Sequence, residues 1–144
     1  MDANPITEFD EARSLQLLGT VSLGRLVTVS EGRADIFPVN YALSPEGKLF
    51  FRTAEGSKLT EVTINDDVLF EVDEYTDTDA WSVVVRGRAH RLETTEEVDA
   101  ADRLALTPWV PTLKYNYVRI VPTSLSGRDI HRGDEPDRYG VQQY

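Results

Sequence analysis

The chain contains no cysteine. Disulfides, thiolate nucleophiles and cysteine-ligated zinc or iron–sulfur centres are therefore excluded. Only two histidines are present among 144 residues, His90 and His131, too far apart for a local metal motif, and no metal site is expected. Positive charge is scarce: 15 Lys and Arg stand against 25 Asp and Glu, a net charge of −10. Binding to a phosphate backbone or to an anionic membrane needs a basic surface, so neither nucleic acid nor membrane is an expected partner. No stretch approaches the roughly 18 consecutive apolar residues of a membrane span. The acidic first ten residues lack the apolar stretch of a signal peptide, so a cytoplasmic location is expected.

With 40% apolar residues and 144 positions, one domain with a substantial core is expected. Its body is placed at residues 1–130, with a polar tail over 131–144. Thr7 and Asp10 give a weak capping signal, and Ala12, Leu15 and Leu18 follow at helical spacing before Gly19. Alternating segments then dominate. Val21, Leu23, Val27 and Val29 share one parity, and Glu31-Gly32-Arg33 reads as a turn. Phe37, Val39, Tyr41 and Leu43 alternate with Ile36, Pro38, Asn40 and Ala42; Pro38 cannot donate to a ladder, so this strand belongs at an edge or bulge. Ser44-Pro45-Glu46-Gly47 is a turn, and Leu49-Phe50-Phe51 opens a third strand.

A short helix is predicted from Ser57 to about Ile64, then a strand through Val68, Phe70 and Val72, and an acidic loop from Asp73 to Asp79. Trp81, Val83, Val85, Gly87 and Ala89 mark a long fifth strand. Thr94 with Glu97 forms a capping box for a third helix through Val98, Ala101, Leu104 and Ala105, which Pro108 and Pro111 end. Tyr115, Tyr117, Arg119 and Val121 form a last strand. The pattern is mainly β with peripheral helices, and six strands joined by short turns can close a small antiparallel barrel.

Several chemistries find no support. Asp73, Glu74, Asp77 and Asp79 lack the Gly and terminal Glu of a calcium loop. Ser14, Ser22 and Ser82 have no nucleophile-elbow context. The glycines form neither a dinucleotide fingerprint nor a Walker loop. The informative stretch is Phe51 to Leu59, a strand end, a glycine turn and a helix start. Arg52, Thr53, Ser57 and Lys58 there suit a phosphate monoester, because a helix amino terminus offers free N–H groups and partial positive charge. The alternative is that Ser57 serves only as an N-cap while both cations are solvated or pair with Glu55 and Glu61.

The segments Gly24-Arg25-Leu26, Phe37-Pro38-Val39-Asn40-Tyr41, Leu49 to Thr53, Gly56-Ser57-Lys58-Leu59, Val68 to Asp73, Trp81 to Gly87 and Leu125-Ser126-Gly127-Arg128 occur in an order and spacing that resemble the pyridoxamine 5′-phosphate oxidase-like flavin-binding split-barrel family. The likeness runs from about Leu17 to Ile130 and is nearest to small actinobacterial-type and nitroimidazole-reductase-like members. It implies a six-stranded antiparallel FMN-binding split barrel and a homodimer with flavin at the subunit interface. It further implies that Arg52, Thr53, Ser57 and Lys58 hold the flavin phosphate, that Pro38, Val39, Asn40 and Tyr41 pass the isoalloxazine ring, and that Trp81 and Ser82 approach it from the partner chain. The expected activity is that of a flavin-dependent oxidoreductase on a small organic substrate. A deazaflavin-dependent reductase and a non-catalytic flavin carrier are the alternatives. The carboxy-terminal Arg and His or Trp segment of true pyridoxamine 5′-phosphate oxidases has no match in Gly127 to Tyr144, and no catalytic side chain is assigned.

Overall fold

The computed structural model describes residues 6–54, 56–104 and 116–133. Eight strands and three helices follow one another as β1 (Ile6–Phe9), α1 (Glu11–Leu18), β2 (Leu23–Ser30), β3 (Arg33–Asn40), β4 (Ala42–Leu43), β5 (Leu49–Thr53), α2 (Ser57–Ile64), β6 (Asp67–Tyr75), β7 (Asp79–Arg91), α3 (Thr95–Asp102) and β8 (Asn116–His131). All pairings are antiparallel, in the order β3-β2-β6-β7-β8-β5-β4, with β1 on the far half of β8. The sheet curls until β3 approaches β5. The architecture is the mainly β, antiparallel split barrel expected from the sequence, with two short strands beyond the six.

Those two strands have local causes. β1 lies where the sequence pattern started a helix. Its register pairs Phe9 with Gly127, and Asp10, not Thr7, caps α1 by accepting from the Arg13 N–H at 2.9 Å. β4 splits off because the chain turns at Tyr41, whose N–H donates to Ser22 O, before Ala42 pairs with Phe50. The β2–β3 hairpin closes through Glu31 and Gly32, both at positive φ, the backbone that a two-residue turn between right-twisted strands requires. Pro38 sits exposed on β3, the terminal strand of the sheet path, as its missing N–H demands.

The core is built from alternate residues of the strands. Val83, Val85 and Ala89 of β7 are buried together with Val68, Phe70 and Val72 of β6, and Leu49, Phe51, Val118 and Ile120 complete the interior. On β2 the buried parity is Gly24, Leu26 and Thr28, opposite to the Val27/Val29 series. Gly24 is needed there: a Cβ at this position would lie 2.6 Å from the Phe70 ring and 3.0 Å from the Glu71 carbonyl. The predicted acidic loop shrinks to residues 76–78, because β6 continues to Tyr75 and pairs Asp73 with Ser82 and Glu74 with Trp81. β8 runs on past Val121 to His131. Ala105, Pro108, Pro111 and Tyr115, and the chain from 134 onward, lie outside the described residues.

Candidate functional site

The three described helices begin differently. Asp10 caps α1, with Glu11 in its first turn. Thr94 and Glu97 close a full capping box on α3, with Glu96 and Glu97 in its first turn. α2 has Gly56 at its N-cap, which offers no side chain to the first-turn N–H groups, and no acidic residue in that turn. Lys58 stands there instead, where the helix dipole disfavours a cation. Ser57 is thus the first helical residue and not the cap. The side chains of Ser57 and Lys58 lie outside the described residues.

β5 delivers Arg52 and Thr53 to the same junction. Arg52 is half-buried, in register with Tyr117 of β8. Thr53 is buried, and its hydroxyl donates to the Ala54 carbonyl at 3.1 Å. β3 comes alongside, since the chain leaves it through Tyr41 into β4, the hydrogen-bonded neighbour of β5. β3, which carries Pro38 to Asn40, and β5, which carries Arg52 and Thr53, therefore run close to one another.

The residues expected to line a ring divide between two faces. Val39 and Tyr41 point into the core. The Tyr41 hydroxyl donates to the Leu18 carbonyl at 2.6 Å, its ring meets Phe70 edge-on with centroids 5.0 Å apart, and burial pushes its pKa far above the usual phenol range. A phenol so placed is a structural tie. Trp81 also packs against the core. Pro38, Asn40 and Ser82 lie on the outer face. Pro38 is opposite Arg25, Asn40 is opposite Leu23 with its amide reaching Ser22 O at 3.4 Å, and Ser82 is opposite Asp73.

Two polar groupings were not evident from the sequence. On the outer face Arg25 of β2 donates through Nε to Glu71 at 2.9 Å and pairs with Asp73 at 2.9 Å. Hydrogen bonding to Glu71 raises the Arg25 pKa, whereas burial and the adjacent Asp73 outweigh Arg25 at Glu71 and hold its carboxyl above the usual range. Beside Arg52's strand, Arg119 of β8 donates to Glu97 at 3.3 Å, and the Tyr117 hydroxyl donates to Asp102 at 2.6 Å. These bonds fasten α3 over β8. Cross-strand register brings the first grouping together and the packing of α3 on β8 the second, and no short motif announces them. Among the described residues no three His, Asp or Glu side chains are placed to hold a metal ion, and no helix is long and apolar enough to cross a membrane.

Comparison with known proteins agrees with this fold. Residues 10–129 match the family model described as pyridoxamine 5′-phosphate oxidase. The chain belongs to that family. An uncharacterized protein of Mycobacterium tuberculosis is 43% identical over 90 residues, 62% of this chain and 82% of its own length. The crystal structure of a Corynebacterium glutamicum protein provisionally described as a pyridoxamine 5′-phosphate oxidase is 47% identical, covers 93% of this chain and 99% of its own, and superposes with a TM-score of 0.81. A Mycobacterium smegmatis structure, described as an FAD binding protein, is 38% identical over 88% of this chain and 100% of its own, at a TM-score of 0.78.

Proposed function

We propose that this chain binds a flavin, with FMN as the first choice, and that its phosphate lies at the junction of β5 and α2. The observation that carries the reading is the amino end of α2. It alone among the three described helices has a glycine cap and no first-turn carboxylate, and Arg52 and Lys58 flank it. Free backbone N–H groups, a positive helix end and two cations together fit a phosphate monoester. Arg52 would grip phosphate oxygens from the strand side and Lys58 from the helix side, while Ser57 and, on turning its hydroxyl away from the Ala54 carbonyl, Thr53 would supply hydroxyls nearby. The flavin, when bound, supplies hydride transfer. The protein's part is to hold it, orient it and exclude water around it. The resulting activity is that of an oxidoreductase acting on a small organic substrate.

FAD is the second reading, supported by the description of the Mycobacterium smegmatis relative. A homodimer completes the proposal. The outer face of β3, β2 and β6 carries a row in which Ile36 faces Val27 and Val27 faces Leu69. Ile36 is 62% exposed and Val29, two residues along from Val27, is 43% exposed. An apolar sheet face of this kind, ringed by Arg25, Glu71 and Arg86, suits a second copy of the chain.

The test is fluorescence titration of the wild type, Arg52→Ala and Lys58→Ala with FMN and with riboflavin. A hydrogen bond to a charged group is worth about 1.5–3 kcal/mol, so each substitution is expected to weaken FMN by roughly ten- to hundredfold. Riboflavin, which has no phosphate, should be unaffected. Equal losses for both flavins, or no loss for either, would refute the assignment.

A further inference from the structure

α2 has only eight residues, too few to be stable by itself, so its position is set by what holds it to the sheet. Among its described side chains Val62 is the buried apolar anchor, and apolar packing, being non-directional, leaves a helix some freedom to rotate and slide. Two polar ties remove that freedom. Thr28 of β2 donates its hydroxyl to Glu61 Oε2 at 2.5 Å, and the Asn65 side-chain amide donates to the Val29 carbonyl at 2.9 Å. Glu61 is in the body of the helix and Asn65 is its C-cap, while Thr28 and Val29 are consecutive in the strand, so the two ties hold the helix at two points along β2.

Thr28 is an unusual choice for stability. It is fully buried on the inner face of β2, where Gly24 and Leu26 precede it, and Val would have the same shape. A buried hydroxyl facing a half-buried carboxylate gains little over an apolar pair of similar volume. What it does provide is direction, because a hydrogen bond fixes the angle and register of Glu61 where an apolar contact would not. Glu61 lies one helical turn beyond Ser57 and Lys58, so the rotation set at Glu61 is the rotation of the first-turn N–H groups.

We propose that Thr28 and Glu61 are positioning residues for anion binding at the amino end of α2, acting through the helix and touching no ligand. The inference rests on the phosphate site proposed above. Misplacing a preorganised site by about 1 Å costs a large part of its effect. Thr28→Val and Glu61→Ala are therefore expected to weaken FMN by about five- to thirtyfold and to leave riboflavin within about twofold. Thr28→Ser and Glu61→Gln, which keep a donor and an acceptor, should restore FMN affinity to within about threefold of wild type.

The experiment is flavin-fluorescence titration of the full chain with FMN and riboflavin for these four variants, with Lys58→Ala as reference and a thermal melt of each. If Thr28→Val does not give a cooperative melt, the comparison of Glu61→Ala with Glu61→Gln decides. FMN binding as in wild type by Thr28→Val and Glu61→Ala, while Lys58→Ala loses FMN selectively, overturns this inference and leaves the phosphate site standing. Equal loss of both flavins also overturns it, since that is the mark of general loosening. If the wild type binds FMN no more tightly than riboflavin, the phosphate site itself has failed and the inference fails with it.

Discussion

Adding one methyl group at Gly24 tests the packing that shapes the barrel. The new Cβ would lie 2.6 Å from two carbons of the Phe70 ring and 3.0 Å from the Glu71 carbonyl oxygen. Phe70 is fully buried and its ring is held edge-on by Tyr41, so it has little room to withdraw. Glu71 O is backbone in a strand paired on both sides. Overpacking of this kind typically costs about 1–3 kcal/mol. Taking about 2 kcal/mol, and about 2–4 °C per kcal/mol for a chain near this size, Gly24→Ala should melt roughly 4–8 °C below wild type. The assay is thermal and urea unfolding of both proteins at one concentration. Phe70→Leu provides the control, because without the ring the Gly24→Ala penalty should fall to the part set by the Glu71 carbonyl. A Gly24→Ala protein within about 0.5 kcal/mol of wild type in the unaltered background would refute the reasoning.

Glu97 accepts from the backbone N–H groups of Thr94 and Glu93, which hold its carboxyl below the usual value of 4.5. Its contribution is thus present above that value and is lost as pH falls through the lowered pKa. The stability gap between wild type and Glu97→Ala should be open at pH 7 and close in strong acid; a gap independent of pH contradicts the assignment. Ile36→Glu places a carboxylate in the outer apolar row, and in sedimentation equilibrium at micromolar concentration it should shift the protein from twice the chain mass to the chain mass. A wild type that sediments as a monomer would rule out the proposed dimer.

Much of the fold was legible where local chemistry acts alone. The β7 alternation from Trp81 to Ala89, the Thr94–Glu97 capping box and the limits of α2 all follow from neighbouring residues. β2 misleads for a physical reason. Its outer face is apolar at Val27 and Val29, so alternation cannot tell which parity is the core, while the inner face holds Gly24 and Thr28. β1 is only four residues long, and its strand state depends on Ile130 to Gly127, more than a hundred positions away. The acidic run Asp73 to Tyr75 reads as a loop, yet it pairs along Ala80 to Ser82. The candidate site shows the same division. Arg52, Ser57 and Lys58 are recognisable because strand end, glycine turn and helix start are contiguous. The Arg25–Glu71–Asp73 grouping is a product of strand register and the Thr28–Glu61 bond of the packing of α2 on β2, and no spacing within the sequence discloses either.

The most direct test of the central claim is titration of the flavin-free wild-type chain with FMN and riboflavin in parallel, at equal ionic strength. Binding of FMN through its phosphate at the β5–α2 junction predicts saturable quenching at one flavin per chain, with FMN at least tenfold tighter than riboflavin. Equal affinity for the two flavins, or no saturable change with FMN, would contradict it.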